Sequence, residues 1–361
     1  MATIGATLAR FVAPLARELR EAGMFTVGVS GSLGDTRGFD RVYELPDFRR
    51  QPPHRVFMAA RRLFLVVRRE RPAVLHLHTP AAIVVGRIVG LLTGTPVIAS
   101  THGTLLDAGG IVAPAFVAIE ALLARISTIT LTENEDDAKF YRRITAPNSV
   151  LVAPVGGLGV DVAAISRAAR TARSLGQIGP KTGPSVVAVG RLTPEKNLDD
   201  VVAGFLRVRE HHPGASLTFV GSTLKGERAW CVPDLPGVSH VPWVDDPFPL
   251  VAAADVLVSA SRREGFGMVV AESLLLGTPV VAVRNRGTAE VERQHPVGLI
   301  LTASRPDKIA SAIESAWGFG RVDNRGLFHR WSRENAIDFH SAVIKSVLDG
   351  SPLPGPYLPH Q

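Results

Sequence analysis

The chain contains 361 residues, of which 46% are hydrophobic and 20% are charged, so it is globular and long enough for two domains of ordinary size. Its single cysteine, Cys231, excludes an internal disulfide and fits a reducing compartment. The net charge of +7 favours anionic partners such as nucleotide phosphates or anionic lipid. The lack of zinc-finger spacing and of an aromatic-basic run argues against nucleic acid.

The apolar stretches of the sequence are short. Flanking charges interrupt the stretch Phe11–Leu15, so no secretory signal is visible. Longer stretches such as Ile111–Ala124 contain a charge or a proline and fall short of the roughly 20 residues that span a bilayer. We therefore expect a cytoplasmic protein that is soluble or peripheral.

The first half of the chain alternates β-branched runs with helical patterns, which is typical of βα units in a parallel sheet. The predicted strands are Phe25–Ser30, Val74–His78, Val97–Thr101, Thr128–Thr132 and Val150–Ala153. The predicted helices are Leu8–Ala22, Val56–Arg69, Ala81–Leu92, Ala113–Ala124 and Glu133–Arg143. Only Ala2–Gly5 precedes the first helix, so either the opening strand is very short or the true start lies upstream of Met1.

A second α/β series follows a polar stretch rich in glycine and proline, Arg170–Pro184, which predicts a linker. The predicted strands are Ser185–Val189, Ser216–Val220, Val238–Val241, Val256–Ser259 and Pro279–Val283. The predicted helices are Leu198–Glu210, Pro247–Ala254, Met268–Leu276, Pro306–Trp317 and Arg333–Leu348. We expect two doubly wound domains, residues 1–169 and 185–332, with a C-terminal helix and tail over residues 333–361. Ligands of such sheets bind beyond the carboxyl ends of the strands.

The run Glu264–Glu272 (EGFGMVVAE) places one carboxylate in a strand-to-helix turn and another two turns into the helix. Gly265 and Gly267 let the backbone approach a ligand closely. The N–H groups of Phe266–Val270 form a predicted helix N-terminus, which suits a phosphate. The pattern indicates a nucleotide-sugar site, and the spacing alone allows equally a capping glutamate followed by an ordinary surface glutamate.

A second motif, Gly190–Asn197 (GRLTPEKN), directly follows a predicted strand. Arg191 and Lys196 flank its proline-containing turn. Two cations at a strand end can neutralise a departing diphosphate, which is the electrostatic task in sugar transfer. Two unrelated surface cations are the alternative.

The chain resembles the retaining GT-B glycosyltransferases of family 4, the glycosyltransferase group 1 enzymes of the capsular and cell-envelope polysaccharide type. The resemblance lies in VAVGRLTPEKN, AAADVLVSASRREGFGMVVAES, GTPVVAVRNRGTAEV, HLHTPAAIVVGRIVGLLTGTPVIASTHG and LTENEDDAKFYRR. These motifs cover nearly the whole chain, and their order is far more specific than a lone glycine pattern. The resemblance implies an α/β GT-B fold with two Rossmann-like, doubly wound domains facing a central cleft. The first domain would bind the acceptor, the second the donor, and the C-terminal helix would pack back on the first.

The resemblance also implies roles for residues of the second domain. Arg191 and Lys196 match the pair that binds the donor diphosphate, Glu264 matches a contact to the donor sugar, and Glu272 matches a contact to the ribose. The matching phosphate-binding turn consists of Gly265, Phe266, Gly267, Met268 and Val269.

Fewer residues of the first domain carry implied roles. His102, after a predicted strand, matches a histidine that faces the transferred sugar, with a structural histidine as the alternative. Gly5 lies where the family places a glycine loop over the donor phosphates. His76 and His78 share one side of a strand, and His78 is near enough to the strand end to be a candidate for acceptor contact.

We expect no metal and no cofactor beyond the nucleotide-sugar co-substrate. The sequence has no Asp-x-Asp motif, and adjacent pairs such as Asp199–Asp200 put their carboxylates on different sides. The resemblance implies a retaining transferase that uses a nucleotide-sugar, with UDP the favoured nucleotide, and a glycan or lipid-linked acceptor in cell-envelope synthesis. A GT-B nucleotide-sugar epimerase and a catalytically silent nucleotide-sugar-binding protein are the alternatives.

The predicted helix over residues 56–69 is basic and amphipathic. Its apolar side carries Val56, Ala60 and Leu63. Its basic side carries Arg55, Arg61, Arg62, Arg68 and Arg69. Such helices lie on anionic membranes, so attachment to the inner face of the plasma membrane is one hypothesis and an ordinary surface helix is the other.

Overall fold

The computed structural model describes residues 1–3, 8, 12–32, 36–48, 51–175, 182–223 and 227–355. The chain forms two compact units. The first unit comprises Met1–Gly159 together with the segment from Arg333 onward, and the second comprises Val160–Ser332.

The first unit is built on parallel strands. Its strands are β1 (Val27–Ser30), β2 (Arg41–Glu44), β3 (Leu75–His78), β4 (Val97–Ser100), β5 (Ile129–Thr132) and β6 (Val150–Val152). Its helices are α1 (Ala13–Glu21), α2 (Pro53–Glu70), α3 (Pro80–Thr93), α4 (Val112–Leu123) and α5 (Glu135–Ile144), and α12 (Arg333–Asp349) joins them from the C-terminal segment. Strands β3, β4, β5 and β6 form one sheet in that order, and β1 pairs with β2.

The segment Met1–Thr3 lies between the two sets of strands of the first unit. The Ala2 N–H donates to the Val29 carbonyl at 3.0 Å, and the His78 N–H donates to the Met1 carbonyl at 2.9 Å. Ala2 also forms a parallel bridge with Ser30. The expected opening strand over Ala2–Gly5 is therefore seen only as this bridge, and Gly5 lies outside the described residues.

The second unit contains one six-stranded parallel sheet. Its strands are β7 (Ser185–Val189), β8 (Ser216–Val220), β9 (Val238–Val241), β10 (Val256–Ser259), β11 (Val280–Val283) and β12 (Leu299–Thr302). Its helices are α6 (Val162–Leu175), α7 (Leu198–His211), α8 (Phe248–Ala253), α9 (Met268–Leu275), α10 (Arg286–Gln294) and α11 (Pro306–Trp317). The strand order is β12-β11-β10-β7-β8-β9. This order reverses direction between β7 and β10, which makes that pair the topological switch point of a Rossmann-type sheet.

The core of the second unit explains why the sequences of its strands are continuous apolar runs. Every residue of β11 is buried, as expected for a parallel strand covered by helices on both faces. Phe205 on α7 and Ile309 on α11 are fully buried in the same cluster as Phe219 on β8. This packing fixes the strand ends, and thereby the loops that follow them.

Two boundaries differ from the sequence-based expectation. Helix α6 runs to Leu175, so it extends into the predicted linker over Arg170–Pro184. The first unit ends at Gly159 and not at residue 169, because α6 packs against α8 and the Val160 N–H donates to the Trp331 carbonyl at 2.8 Å. The stretch is rich in alanine and arginine, which are good helix formers, so the helix continues up to the glycines that follow it.

The segment from Arg333 belongs to the first unit because α12 packs against α1. Val343 and Ile344 of α12 are buried in one cluster with Ile98 and Leu131 of the sheet. The His340 Nε2–H donates to the Gly157 carbonyl at 2.6 Å. The helix is therefore part of the core of this unit.

Candidate functional site

The two sequence motifs of the second unit meet at its topological switch point. The run Gly190–Asn197 follows β7, and Glu264 lies in the loop that follows β10. Strands β7 and β10 are neighbours, with Val186 paired to Val256. Both motifs therefore leave the carboxyl edge of the sheet at the point where doubly wound proteins bind ligands.

Lys196 and Glu264 form an ion pair at this edge. The Lys196 Nζ donates to Glu264 Oε1 at 2.6 Å, and the two side chains are 22% and 23% exposed. Because an ammonium group has three donors, Lys196 can hold Glu264 and still bind a further anion. The two residues match contacts to different parts of a donor, and the structure brings them into direct contact.

The turn that carries Glu264 rests on the first turn of α10. A Cβ atom added at Gly287 would lie 2.8 Å from both the Cβ and the carbonyl oxygen of Glu264, so only glycine permits this approach. Asn285 caps α10 by accepting from the Thr288 N–H at 3.0 Å, and its amide donates to the Ser261 carbonyl at 2.8 Å. The cap therefore ties α10 to the loop between β10 and Glu264.

Helix α9 begins directly after this turn. Gly267 is its N-cap residue, in the left-handed conformation with φ +89°, and the first N–H groups of a helix have no partner within the helix. The predicted helix start is therefore present, and its binding of a phosphate stays a prediction. The Phe266 side chain is buried and packs edge-on against Trp331, so Phe266 can offer a ligand only its backbone. Glu272 lies in the second turn of α9 and is half-buried.

Arg191 has a different partner from Lys196. Its guanidinium pairs with Glu227, which is 11% exposed, whereas the Arg191 side chain is 41% exposed. Glu227 could not be predicted from the sequence, because it lies 36 positions from Arg191 and no motif surrounds it. A diphosphate reaching Arg191 would compete with this carboxylate.

A second polar cluster lies at the carboxyl edge of the first unit. The His102 Nδ1 lies 2.6 Å from Glu133 Oε1, and its Nε2 lies 3.1 Å from His78 Nδ1. His78 ends β3, whereas His102 and Glu133 follow β4 and β5. The two histidines are candidates from the sequence, whereas Glu133 is predicted there only as the start of a helix.

Of the histidines behind His102, His78 and His340 are buried and His76 is half-buried, and all three are uncharged at neutral pH. Burial, together with the nearby histidines, holds the pKa values of His76 and His78 well below their usual range. Burial also lowers the pKa of His340 to about 4. His76 has Ser100 as its hydrogen-bond partner, with 2.7 Å between Nε2 and Oγ.

The described residues include no group of three or more histidine, cysteine, aspartate or glutamate side chains that could hold a metal ion. In the same part of the chain, no helix combines the length and the apolar character needed to cross a bilayer.

Two family models match the chain, one in each unit. The model described as "Glycosyl transferase 4-like domain" matches residues 6–156, and the model described as "Glycosyl transferases group 1" matches residues 183–318.

Relatives agree with these models. A D-inositol 3-phosphate glycosyltransferase of Acidothermus cellulolyticus is 30% identical over 306 residues, which is 76% of this chain and 66% of the relative. The lipopolysaccharide core biosynthesis glycosyltransferase LpsE of Rhizobium meliloti is 29% identical over 178 residues, which is 46% of this chain and 51% of the relative. The chain thus spans only about half to two thirds of the length of these curated relatives.

A solved structure shows the same fold. The crystal structure of Anabaena Alr3699/HepE in complex with UDP matches with a TM-score of 0.71 and 16% identity, covering 96% of this chain and 98% of that one. The same Anabaena protein has also been solved with UDP-glucose.

Two Rossmann-like units, with paired charges and a helix start at the switch point of the second, define a protein of the GT-B fold. The predicted α/β class is therefore confirmed. The chain belongs to the GT-B glycosyltransferases of family 4.

Proposed function

We propose that the protein is a retaining glycosyltransferase that moves a sugar from a nucleotide-sugar to a glycan or lipid-linked acceptor in cell-envelope synthesis. The observation that carries the proposal is the Lys196–Glu264 pair beside the start of α9, at the switch point of the second unit. The Anabaena protein of the same fold has been solved with UDP and UDP-glucose, which makes a UDP-sugar the favoured donor.

Different residues of the second unit would bind different parts of the donor. The N–H groups at the start of α9 and the cations Lys196 and Arg191 would bind the diphosphate and stabilise the charge that develops as it leaves. Glu264 would accept hydrogen bonds from sugar hydroxyls, and Glu272 would accept one from the ribose. His102 stays our candidate for contact with the transferred sugar.

The reaction forms a bond between the acceptor oxygen and the anomeric carbon and breaks the bond from that carbon to the diphosphate. The acceptor proton passes to the leaving diphosphate on the same face of the sugar. We propose that no divalent metal is required, because fixed cations and a helix start can supply the positive charge. Gly5, as a loop over the donor phosphates, stays a prediction.

Donor turnover tests this function. Purified protein would be given UDP-, GDP-, ADP- and TDP-sugars, with magnesium or with a chelator and with crude membrane lipid as acceptor, and released nucleoside diphosphate would be measured. We expect acceptor-stimulated release from one donor that survives chelation. Release should be lost in Lys196→Ala and Glu264→Gln but kept in the matched surface variants Lys139→Ala and Glu292→Gln, whose charges also form surface ion pairs.

The same assay separates the alternatives. Interconversion of the donor sugar without acceptor and without nucleotide release would establish an epimerase. Binding of a donor without any turnover would establish a silent nucleotide-sugar-binding protein. Loss of activity on chelation, restored by magnesium, would contradict the metal-independent mechanism.

We further propose that α2 attaches the protein to an anionic membrane surface, on the leaflet that faces the cytoplasm. Its five arginines Arg55, Arg61, Arg62, Arg68 and Arg69 are all exposed. Bulky apolar side chains lie exposed on the same helix, with Phe57 at 69% and Leu65 at 51%. Such a mixture suits a helix that binds acidic headgroups and inserts side chains at the interface.

Sedimentation with liposomes tests this attachment. We expect binding to vesicles containing anionic lipid at low salt, release at high salt, and loss of binding in Arg61→Glu/Arg62→Glu. The control Arg305→Glu/Arg325→Glu changes the net charge equally at exposed positions of the second unit. Absence of binding at low salt, or equal loss in both variants, would contradict a role for α2.

A further inference from the structure

Both ring nitrogens of His102 are already engaged. Its Nδ1 lies 2.6 Å from the Glu133 carboxylate, and its Nε2 lies 3.1 Å from His78 Nδ1. We call Glu133, His102 and His78 the histidine chain. The rings of His78 and His102 lie nearly parallel, with 13° between their planes and 5.4 Å between their centroids, which suits a hydrogen bond between ring nitrogens.

The carboxylate determines where the protons of the histidine chain lie. An ionised carboxylate only accepts hydrogen bonds, so the proton shared with Glu133 belongs to His102 Nδ1. A neutral His102 then has a lone pair at Nε2, which accepts the proton of His78 Nδ1. His78 Nε2 is consequently left as a bare acceptor, and it has no hydrogen-bond partner among the residues that the structure describes.

The surroundings keep this arrangement in place. His78 is 2% exposed, and burial and the neighbouring histidines favour its neutral form, so it cannot easily take a second proton. The next residue, Thr79, has φ +78°, a strained conformation for a β-branched residue at the end of β3. Strain of this kind is found where the surrounding structure fixes a functional group.

We propose that Glu133 is a positioning residue that holds His102 as its Nδ1–H tautomer, which leaves Nε2 as a hydrogen-bond acceptor. Because Nε2 has one lone pair, a ligand hydroxyl that bonds to it must donate its proton and displace the His78 N–H that donates to it in this structure. The part of this inference that concerns the sugar rests on the proposed function, whereas the tautomer does not.

Nitrogen-15 NMR of the histidine rings tests the tautomer directly. In the full-length protein at neutral pH, we expect His102 to show a protonated Nδ1 and a bare Nε2. In Glu133→Gln, whose amide can also donate, we expect a shift towards the Nε2–H form. Glu135→Gln, on a partly exposed glutamate two residues away, should leave the spectrum unchanged. A wild-type His102 that is protonated at Nε2, alone or at both nitrogens, would overturn the proposal.

Kinetics tests the positioning role. We expect Glu133→Gln to lower kcat by about ten-fold or more, the size of effect typical of a lost hydrogen bond to a charged group, with little change in the donor KM. Unchanged kcat in Glu133→Gln would overturn the role. Because Glu133 is buried, circular dichroism must show that Glu133→Gln is folded before its kcat is compared.

The two readouts separate this inference from the proposed function. If the wild type consumes no donor but His102 shows the Nδ1–H tautomer, the transferase proposal fails and the positioning of His102 stands. If donor is consumed but the tautomer is Nε2–H, the transferase stands and the positioning fails.

Discussion

Lys196 and Glu264 are held together at 2.6 Å although 68 residues separate them in the sequence. The motifs identified each residue, because each lies in a recognisable strand-to-helix turn. No motif could show the pairing, nor the contacts of Glu227, Glu133 and Gly287, because these depend on which strands are neighbours. Contacts across the sheet are thus the part of the site that one sequence does not reveal.

The Lys196–Glu264 pair should matter more for function than for stability. Since both side chains are about one-fifth exposed, we expect Lys196→Met to change the free energy of unfolding by about 1 kcal/mol or less. Removal of a preorganised cation from a leaving diphosphate should lower kcat/KM by about 100-fold. Urea unfolding and donor kinetics on the same preparation check this. A loss of several kcal/mol in stability would mean that the pair is structural.

Gly287 should tolerate no side chain. The Cβ of Gly287→Ala would lie 2.8 Å from the Glu264 backbone and Cβ, so the Glu264 turn must shift. We expect donor turnover to fall about ten-fold or more, because a small misplacement of a contact group is costly. Gly326→Ala is the matched control, since a Cβ there meets nothing within 4 Å. Equal effects of the two substitutions on turnover would refute the argument.

At the scale of elements, periodicity predicted the strands of the second unit well, because both faces of a parallel sheet are buried and the runs are β-branched. It missed β2, α6, α10 and β12. Helix α10 begins at an asparagine cap and carries many polar residues, and β12 has only one buried residue, Leu299. Such elements owe their stability to neighbours that the local pattern does not show.

The cap of α10 connects local stability to the site. Asn285→Ala removes the bond to the Thr288 N–H and the bond to Ser261, so we expect a loss of about 1 kcal/mol in stability together with weaker donor binding. Asn134 caps α5 in the same way, by accepting from the Asp137 N–H at 2.8 Å. Asn134→Ala should therefore cost similar stability without lowering the affinity for the donor. Thermal unfolding and calorimetric titration with the donor distinguish the two variants.

At the scale of the whole molecule, the C-terminal segment completes the first unit, and its buried His340 makes that unit sensitive to acid. Burial lowers the pKa of His340 to about 4, below its usual value of 6.5, so the unfolded chain binds the extra proton first as pH falls. The free energy of unfolding is therefore unaffected by His340 above about pH 6.5. It decreases as the pH falls towards 4, by an amount on the order of 3 kcal/mol. His76 and His78 add to the loss in the same direction.

Urea unfolding at several pH values checks this dependence. His340→Gln keeps a donor for the Gly157 carbonyl but does not titrate, so we expect a flatter dependence of stability on pH between 6.5 and 4. His54→Gln, at an exposed histidine of α2, should leave the dependence unchanged. Identical pH profiles for His340→Gln and the wild type would contradict the assignment.

Calorimetric titration of UDP into the full-length protein, in the presence of chelator, tests most directly whether the switch point of the second unit is a nucleotide site. We expect UDP to bind without metal and to bind at least about ten-fold more weakly to Lys196→Ala, because the lost ammonium would contact the diphosphate. Binding that is identical in the two proteins, or no binding of UDP, GDP, ADP or TDP to the wild type, would contradict the account.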